Sequence, residues 1–428
     1  MRVLIAGGGI GGLTLALSLH AVGITDIRVV EAAPAIRPLG VGLNILPNAV
    51  RELAELGLLD ELSAVGVQTG ELSYYNRFGS LIWNEPRGRA AGYRWPQLSI
   101  HRGRLQLVLL DEVRRRLGDE TVVADARVRD FDIRADDSVR VIVDHPAAGG
   151  VGEFDADVMV GADGINSAVR AALYPDEGEP PWNGLLVWRG SAWRTPFLNG
   201  STMIIAGDER RRAVVYPMSR PAGPGQPVLM NWALARPAAE QDRPARADWN
   251  RRVEPDSFLS DFADLRFDWL DVPELVRAGG EAFVYPMVDR DPLPRWTFGP
   301  VTLLGDAAHA MYPMGSNGAT QSIVDARVLA FCLARHADPV AALVEYEQRR
   351  RPVTTDLQER NRQLGPELVI SLAARLAPDG FTDVHEVISA GELAEISDRY
   401  ARSGGFDVTT VNDRPSYDVP DAARVVLP

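Results

Sequence analysis

The sequence predicts an α/β protein in which a parallel β-α-β layer is interleaved with an antiparallel sheet and followed by a helical C-terminal region. Three observations carry this. RVLIA at 2–6 passes through GGGIGG into the helix-like LTLALSLHAVG and on to IRVVE at 27–31, the strand, turn, helix, strand order of a parallel crossover unit. Between 185 and 234 the runs LLVWRGSAW, STMIIAG, RAVVYPM and PVLMNWAL are strand-like and separated by turn residues, as in an antiparallel sheet. Residues 340–363, LGPELVISLAARLAPDG and VHEVISAGELAEISDRYARSG have helical composition, with Pro352 as an expected kink.

Size and composition narrow the function. A chain of 428 residues can bury two or three domains. The net charge of -13 argues against nucleic-acid partners. Arg210–Arg212 and Arg349–Arg351 read as solvated faces or internal pairs. The single cysteine, Cys332, lies in the apolar VLAFCLA and excludes an internal disulfide framework. It reads as a buried thiol in a reducing compartment. With no basic leader and no long apolar run, the cytoplasm is the expected location and no membrane partner is expected.

The first crossover carries Gly7, Gly9 and Gly12 in the pattern G-x-G-x-x-G. The first glycine permits a tight turn, the second lets a phosphate approach the backbone, and the third allows close strand–helix packing. The helix N-terminus that follows offers N–H groups to a pyrophosphate. Glu31, at the end of the second strand, can accept hydrogen bonds from both ribose hydroxyls. The pattern alone suits a flavin or a nicotinamide dinucleotide equally.

In the middle, FDADVMV at 154–160 reads as a strand, GADG as a turn and INSAVRAAL as a helix. Asp163 precedes a glycine, so backbone can come near a bound cofactor. Arg170 can pair with Asp163 or reach a phosphate. Taken alone, the segment suits an ordinary surface turn as well. Further on, VTLL at 301–304 is a buried strand ending in Gly305-Asp306, where Asp306 can bond a ribityl hydroxyl. Pro313, Gly315 and Gly318 shape a loop before a long helix over about 319–335. Its first amides would face the occupant of the loop, and a flavin carbonyl is a suitable acceptor. His309 is expected to hold the loop locally rather than act as a base. No metal-ligand spacing and no G-x-S-x-G elbow is present.

The segments VLIAGGGIGG, VGADG at 160–164 and LLGDAAHAMYPMGSNGA at 303–319, in this order, resemble the group A flavoprotein aromatic hydroxylases, the para-hydroxybenzoate hydroxylase-like FAD monooxygenases. The resemblance covers roughly residues 1–352. GVGLNILPNAVRELAELGLLDEL, NEPRG, WPQLSIHRGRLQ and VWRG at 187–190 are similar to the phenazine-modifying branch.

The resemblance implies a Rossmann-like FAD-binding domain built from 1–70, 100–180 and 284–352. A substrate domain would take 71–99 and 181–283, and a C-terminal helical region and tail 353–428. It implies FAD as cofactor, with NAD(P)H as a transient co-substrate, since no second fingerprint is present. The implied reaction hydroxylates an aromatic or polycyclic small molecule with O2 through a flavin C4a-hydroperoxide. It places Arg102 and Gln106 near the FAD pyrophosphate and ribityl chain, and Gly40, Gly42 and Asn44 in a loop near a movable flavin ring.

For the substrate pocket, Tyr75, Trp83, Trp188, Met203 and Tyr216 are candidate walls, because aromatics can sandwich a planar ring. Arg189 can attract a substrate carboxylate or approach the flavin. Pro313 and Met314 are placed to touch a substrate beside it. No catalytic base is assigned. Two alternatives stand: a flavin oxidoreductase carrying out oxidative decarboxylation or another oxidation of a quinone-like metabolite, and a non-catalytic FAD-binding protein. A monomer and a homodimer are both open.

Overall fold

The computed structural model describes residues 1–38, 40–239, 251–420 and 424. Among them, a five-stranded parallel sheet runs in the order Val301–Leu303, Val158–Gly161, Val3–Ala6, Ile27–Val30 and Val122–Val123. Val3–Ala6 and Val158–Gly161 are buried at every position, as expected of strands covered on both faces. The helices Ile10–Ala21, Arg102–Leu117 and Asn317–Leu333 pack together beside this sheet. Leu13, Leu17, Leu109, Ile323 and Leu329 fill one apolar core with the strand residues.

The stretch 154–160 divides into two strands. Val151–Ala156 joins a separate three-stranded antiparallel sheet, and only Val158–Gly161 enters the parallel one.

The second layer is an eight-stranded sheet. Its order is Arg251–Val253, Ala282–Val288, Trp182–Arg194, Val228–Pro237, Arg212–Pro217, Thr202–Gly207, Glu71–Asn76 and Leu81–Pro86. It is antiparallel except where Thr202–Gly207 pairs in parallel with Glu71–Asn76. Ala282–Val288 pairs with Trp182–Arg194, so the return to the parallel layer, expected at 284, falls after Val288.

Between the layers, Gly42–Ile45 and Gly66–Thr69 flank Gln97–His101 in a small antiparallel sheet. Gly42 and Asn44 therefore sit in a strand, not in a loop. The boundary expected at 352 lies inside the continuous helix Pro339–Arg362, which contains Pro352. Among the described residues, no helix is long and apolar enough to cross a membrane.

Candidate active site

The glycine turn is built by exclusion. Gly7 has φ +107°, and a Cβ on it would lie 2.4 Å from the Ala162 carbonyl oxygen. A Cβ on Gly12 would lie 2.0 Å from the Gly7 carbonyl oxygen. A Cβ on Gly9 would meet nothing within 4 Å, and Gly9 faces a cavity of about 500 Å3. The helix Ile10–Ala21 begins at Gly9 with no side-chain cap and no acid in its first turn. Its amide end is thus left for an anion. Gln106 Nε2 donates to the Gly8 carbonyl (2.8 Å) and fixes the turn from the helix Arg102–Leu117. Glu31 accepts from Gly8 N and Ala33 N, each at 2.8 Å, one on each carboxylate oxygen.

The two other motifs close on the same cavity. Ala162 and Gly164 line it, whereas Asp163 turns inward and caps the helix Ala168–Leu173. It accepts from Ser167 Oγ, Ala168 N (2.7 Å) and Val169 N (3.3 Å). Burial pushes its carboxyl up, against the pull of those donors. Arg170 meets neither Asp163 nor the cavity. It pairs with Glu177 and donates to the carbonyls of Ala307 and Ala308.

Leu304–Asp306 and Pro313–Ala319 line the cavity, with Asp306 exposed. Gly315 and Ser316 both take left-handed φ of 61° immediately before the helix Asn317–Leu333. This helix also starts without a side-chain cap or a first-turn acid. Arg102 lines the cavity and packs beneath Gly40, where a Cβ would lie 3.3 Å from its Cδ. Gly42 N donates to Asn231 Oδ1 (2.8 Å), and a Cβ there would strike Tyr216 and Asn231 at 2.7–2.8 Å.

His309 is fully buried and away from the cavity. Its Nε2 meets Asp325 Oδ2 at 2.5 Å. Asp325 also accepts from Gly305 N (3.2 Å) and Arg350 Nε (2.6 Å). His309 thus holds the loop and is not a base for a substrate. Among the described residues, no His, Cys, Asp or Glu cluster could hold a metal.

Strand parity sorts the expected pocket walls. Leu185, Val187 and Arg189 of one strand line the cavity, as do Met203 and Ile205, Arg212, Val214 and Tyr216, and Asn231, Ala233 and Ala235 of its neighbours. Met203, Tyr216, Arg189, Pro313 and Met314 therefore face the cavity. Tyr75 and Trp188 lie on the opposite parity and face the other way. Trp188 stacks on Phe258 at 5.1 Å, and Tyr75 packs on Trp269 at 4.7 Å. Trp83 sits on the edge strand, with Nε1 donating to Glu85 (3.0 Å), and does not reach the cavity. The lining ring from the first strand is Tyr74 instead.

Burial pushes the Tyr216 phenol well up, so it stays neutral and able to donate. Arg189 is different again. It makes no ion pair or hydrogen bond with a described residue, and its Nε is buried without a partner.

Sequence reasoning missed the C-terminal contribution. Leu364, Pro366, Glu367, Ser397, Tyr400 and Phe406 form one side of the cavity. Tyr400 Oη accepts from Asn317 Nδ2 (2.9 Å) and reaches Asn361 Oδ1 (2.7 Å) and the Met314 carbonyl (3.1 Å). Its ring lies where a Cβ on Gly315 would be, 2.4 Å away. Tyr400→Phe is expected to cost about 1–3 kcal/mol, because buried partners lose their mate. Urea unfolding should show this, and FAD should dissociate faster as the 313–317 loop loosens.

The residues 1–361 match the family described as FAD binding domain. The chain is similar to the phenazine 1,6-dicarboxylic acid hydroxylase PhzS of Lysobacter antibioticus, 47% identical over 84% of this chain and 89% of that one. It is 31% identical to 3-hydroxybenzoate 6-hydroxylase 1 of Aquipseudomonas alcaligenes, over 84% and 88%. In fold it matches Klebsiella pneumoniae HpxO complexed with FAD and uric acid, with a TM-score of 0.74, 24% identity, and 94% and 97% coverage. The uncapped helix ends and the glycine cradle suit the pyrophosphate and ring of that cofactor, and the chain belongs to the FAD binding domain family as an FAD-dependent monooxygenase.

Proposed function

We propose that this enzyme hydroxylates a planar, polycyclic aromatic acid of the phenazine carboxylate class, with NAD(P)H as reductant and O2 as oxidant. The observation that carries the substrate class is Arg189, a cation with no anionic partner among the described residues, on a wall of the cavity that it shares with Val187, Met203 and Val214. The apolar side chains around it suit a fused aromatic ring system, and a carboxylate would supply the missing counter-charge. The likeness to a hydroxylase of a phenazine dicarboxylic acid agrees with it.

Bound FAD supplies the redox chemistry: NAD(P)H and a proton are consumed, one oxygen atom of O2 enters the ring and the other leaves as water. The protein groups bind and shield. In this reading, the Gly7–Gly12 turn, Gln106, Arg102 and the amides at Gly315–Gly318 hold the cofactor. Glu31 and Asp306 take its sugar and ribityl hydroxyls. Asp163 acts one step removed, by setting the Ala162–Gly164 backbone. Val187, Met203, Val214, Tyr216, Pro313 and Met314 exclude water from the ring.

The test is substrate-stimulated NAD(P)H oxidation by FAD-loaded protein with phenazine carboxylates, salicylate and simple phenols, with product masses. Stimulation by a phenazine carboxylate and a product heavier by one oxygen supports the proposal. A product that has also lost carbon dioxide shows oxidative decarboxylation. Stimulation by simple phenols alone defeats the polycyclic assignment. Arg189→Gln is expected to raise the Kd for the carboxylate by about tenfold to a hundredfold, the loss of a charge-assisted pair. The uncharged parent phenazine should bind both proteins alike.

A further inference from the structure

Glu367 lies on the C-terminal side of the cavity, beyond the span of the family match at 361. Its side chain is 8% exposed, yet it accepts no hydrogen bond from a described residue. The nearest cation, Arg212 Nε, stands 3.8 Å away and is itself tethered through Nη2 to Ser371 Oγ (2.8 Å). On the same wall of the cavity, the Tyr74 hydroxyl is buried next to the Arg87 guanidinium. Buried polar atoms in folded proteins are satisfied. Here the Glu367 carboxylate lines a ligand cavity with no hydrogen-bond donor among the described residues.

Resting on the aromatic-substrate reading above, we propose that Glu367, supported by Arg212, forms a subsite for those members of the polycyclic aromatic class that carry a hydroxyl or ring N–H, from which it accepts a hydrogen bond and then a proton. In that step the substrate O–H or N–H bond breaks, and its electron pair stays on the substrate heteroatom. The proton moves to a Glu367 oxygen, giving a neutral carboxylic acid. The pair left on the ring raises its electron density, which an electrophilic hydroxylation requires. No other oxidant or co-reactant enters. The proton later returns to the product heteroatom or to solvent.

The chemistry of the pocket suits this exchange. Burial pushes the Glu367 carboxyl up to about 7, with Arg212 opposing. The charged and titratable groups on that side of the cavity are Arg212 on the sheet, Tyr74 on the strand Glu71–Asn76, Arg87 just after the strand Leu81–Pro86, and Tyr400 on the C-terminal helix Ala390–Ser403. Both tyrosines are pushed up by burial and stay neutral. Only Glu367 changes charge near neutrality, which is where a proton acceptor is most useful.

The test uses FAD-loaded protein and two probes, 1-hydroxyphenazine, which carries a donor hydroxyl, and phenazine-1-carboxylate, which has none when ionised. Equilibrium dialysis gives Kd for wild type, Glu367→Gln and Arg212→Gln from about pH 5.5 to about pH 8.5, across the range where a raised carboxyl titrates. The band of the bound hydroxyphenazine reports its ionisation. Glu367→Gln is expected to weaken 1-hydroxyphenazine about tenfold above neutrality and to move the pH midpoint of its bound ionisation. Phenazine-1-carboxylate should change little. Arg212→Gln removes the opposing cation and should move the midpoint to higher pH. This second variant keeps the test decisive if Glu367→Gln loses FAD or fold. Unchanged affinity and an unchanged midpoint in both variants overturn the role of Glu367 and leave the aromatic reading intact. Binding of neither probe to wild type overturns the aromatic reading and this inference with it.

Discussion

Gly12→Ala should yield a protein that folds less stably and no longer retains FAD. The added methyl would sit 2.0 Å from the Gly7 carbonyl oxygen, which is backbone and cannot swing aside. Either the helix Ile10–Ala21 moves away from Val3–Ala6 or the turn deforms. Overpacking of this kind costs about 1–3 kcal/mol of stability. The larger effect falls on the cofactor, because Gly7 cannot retreat. Its own surroundings are closed by Ala162. An affinity loss of about a hundredfold or more is expected, equal to roughly 3 kcal/mol. FAD content after dialysis and flavin fluorescence titration measure it. Retention of FAD at the wild-type level would mean that the turn is not the phosphate site.

Asp325→Ala should be the most destabilising of the substitutions considered. The carboxylate is wholly buried and serves His309, Gly305 N and Arg350 together. Arg350 holds only Gln321 besides. Removing the anion strands a buried guanidinium, which costs about 3–5 kcal/mol. Thermal unfolding should fall accordingly, and Asp325→Asn should recover part of the loss by keeping an acceptor. The same group sets an acid limit. Burial pushes the Asp325 carboxyl up, but His309 and Arg350 more than offset it and hold it below the usual range. A depressed native pKa contributes stability above the unfolded value of about 4. That contribution is lost as pH falls through the lower native value. Wild type should therefore lose stability at acid pH more steeply than Asp325→Asn.

The cofactor side of this protein was legible because phosphate geometry dictates glycine spacing. Gly7, Gly9 and Gly12 sit where a Cβ would collide or block, and that constraint is written in residue type. Strand existence was legible as well. Which face of a strand meets the cavity was not. Glu71–Asn76 is buried at five of its six positions, so hydrophobic alternation is silent on whether Tyr74 or Tyr75 meets the cavity. Trp188 drew attention by its size, yet Phe258, far along the chain, claims it. The C-terminal wall was illegible for a related reason. Arg212 with Glu367, and Tyr400 with Met314, are pairings that only the folded chain creates. Asp163 and Glu31 were recognised by position, but their immediate hydrogen bonds are local.

The C-terminal wall also has an evolutionary consequence. In the proposed reading the groups that hold the flavin lie before residue 361, while Glu367, Ser397, Tyr400 and Phe406 come after it. The cavity wall proposed to meet the substrate therefore comes from both sides of that boundary, with Arg189, Met203 and Tyr216 before it and Glu367 after it. Exchange of the later stretch would change one wall of the cavity and leave the Arg189 wall in place. Tyr400 marks the seam: it stands on the later stretch, yet its ring and hydroxyl meet the earlier loop at Gly315 and Met314.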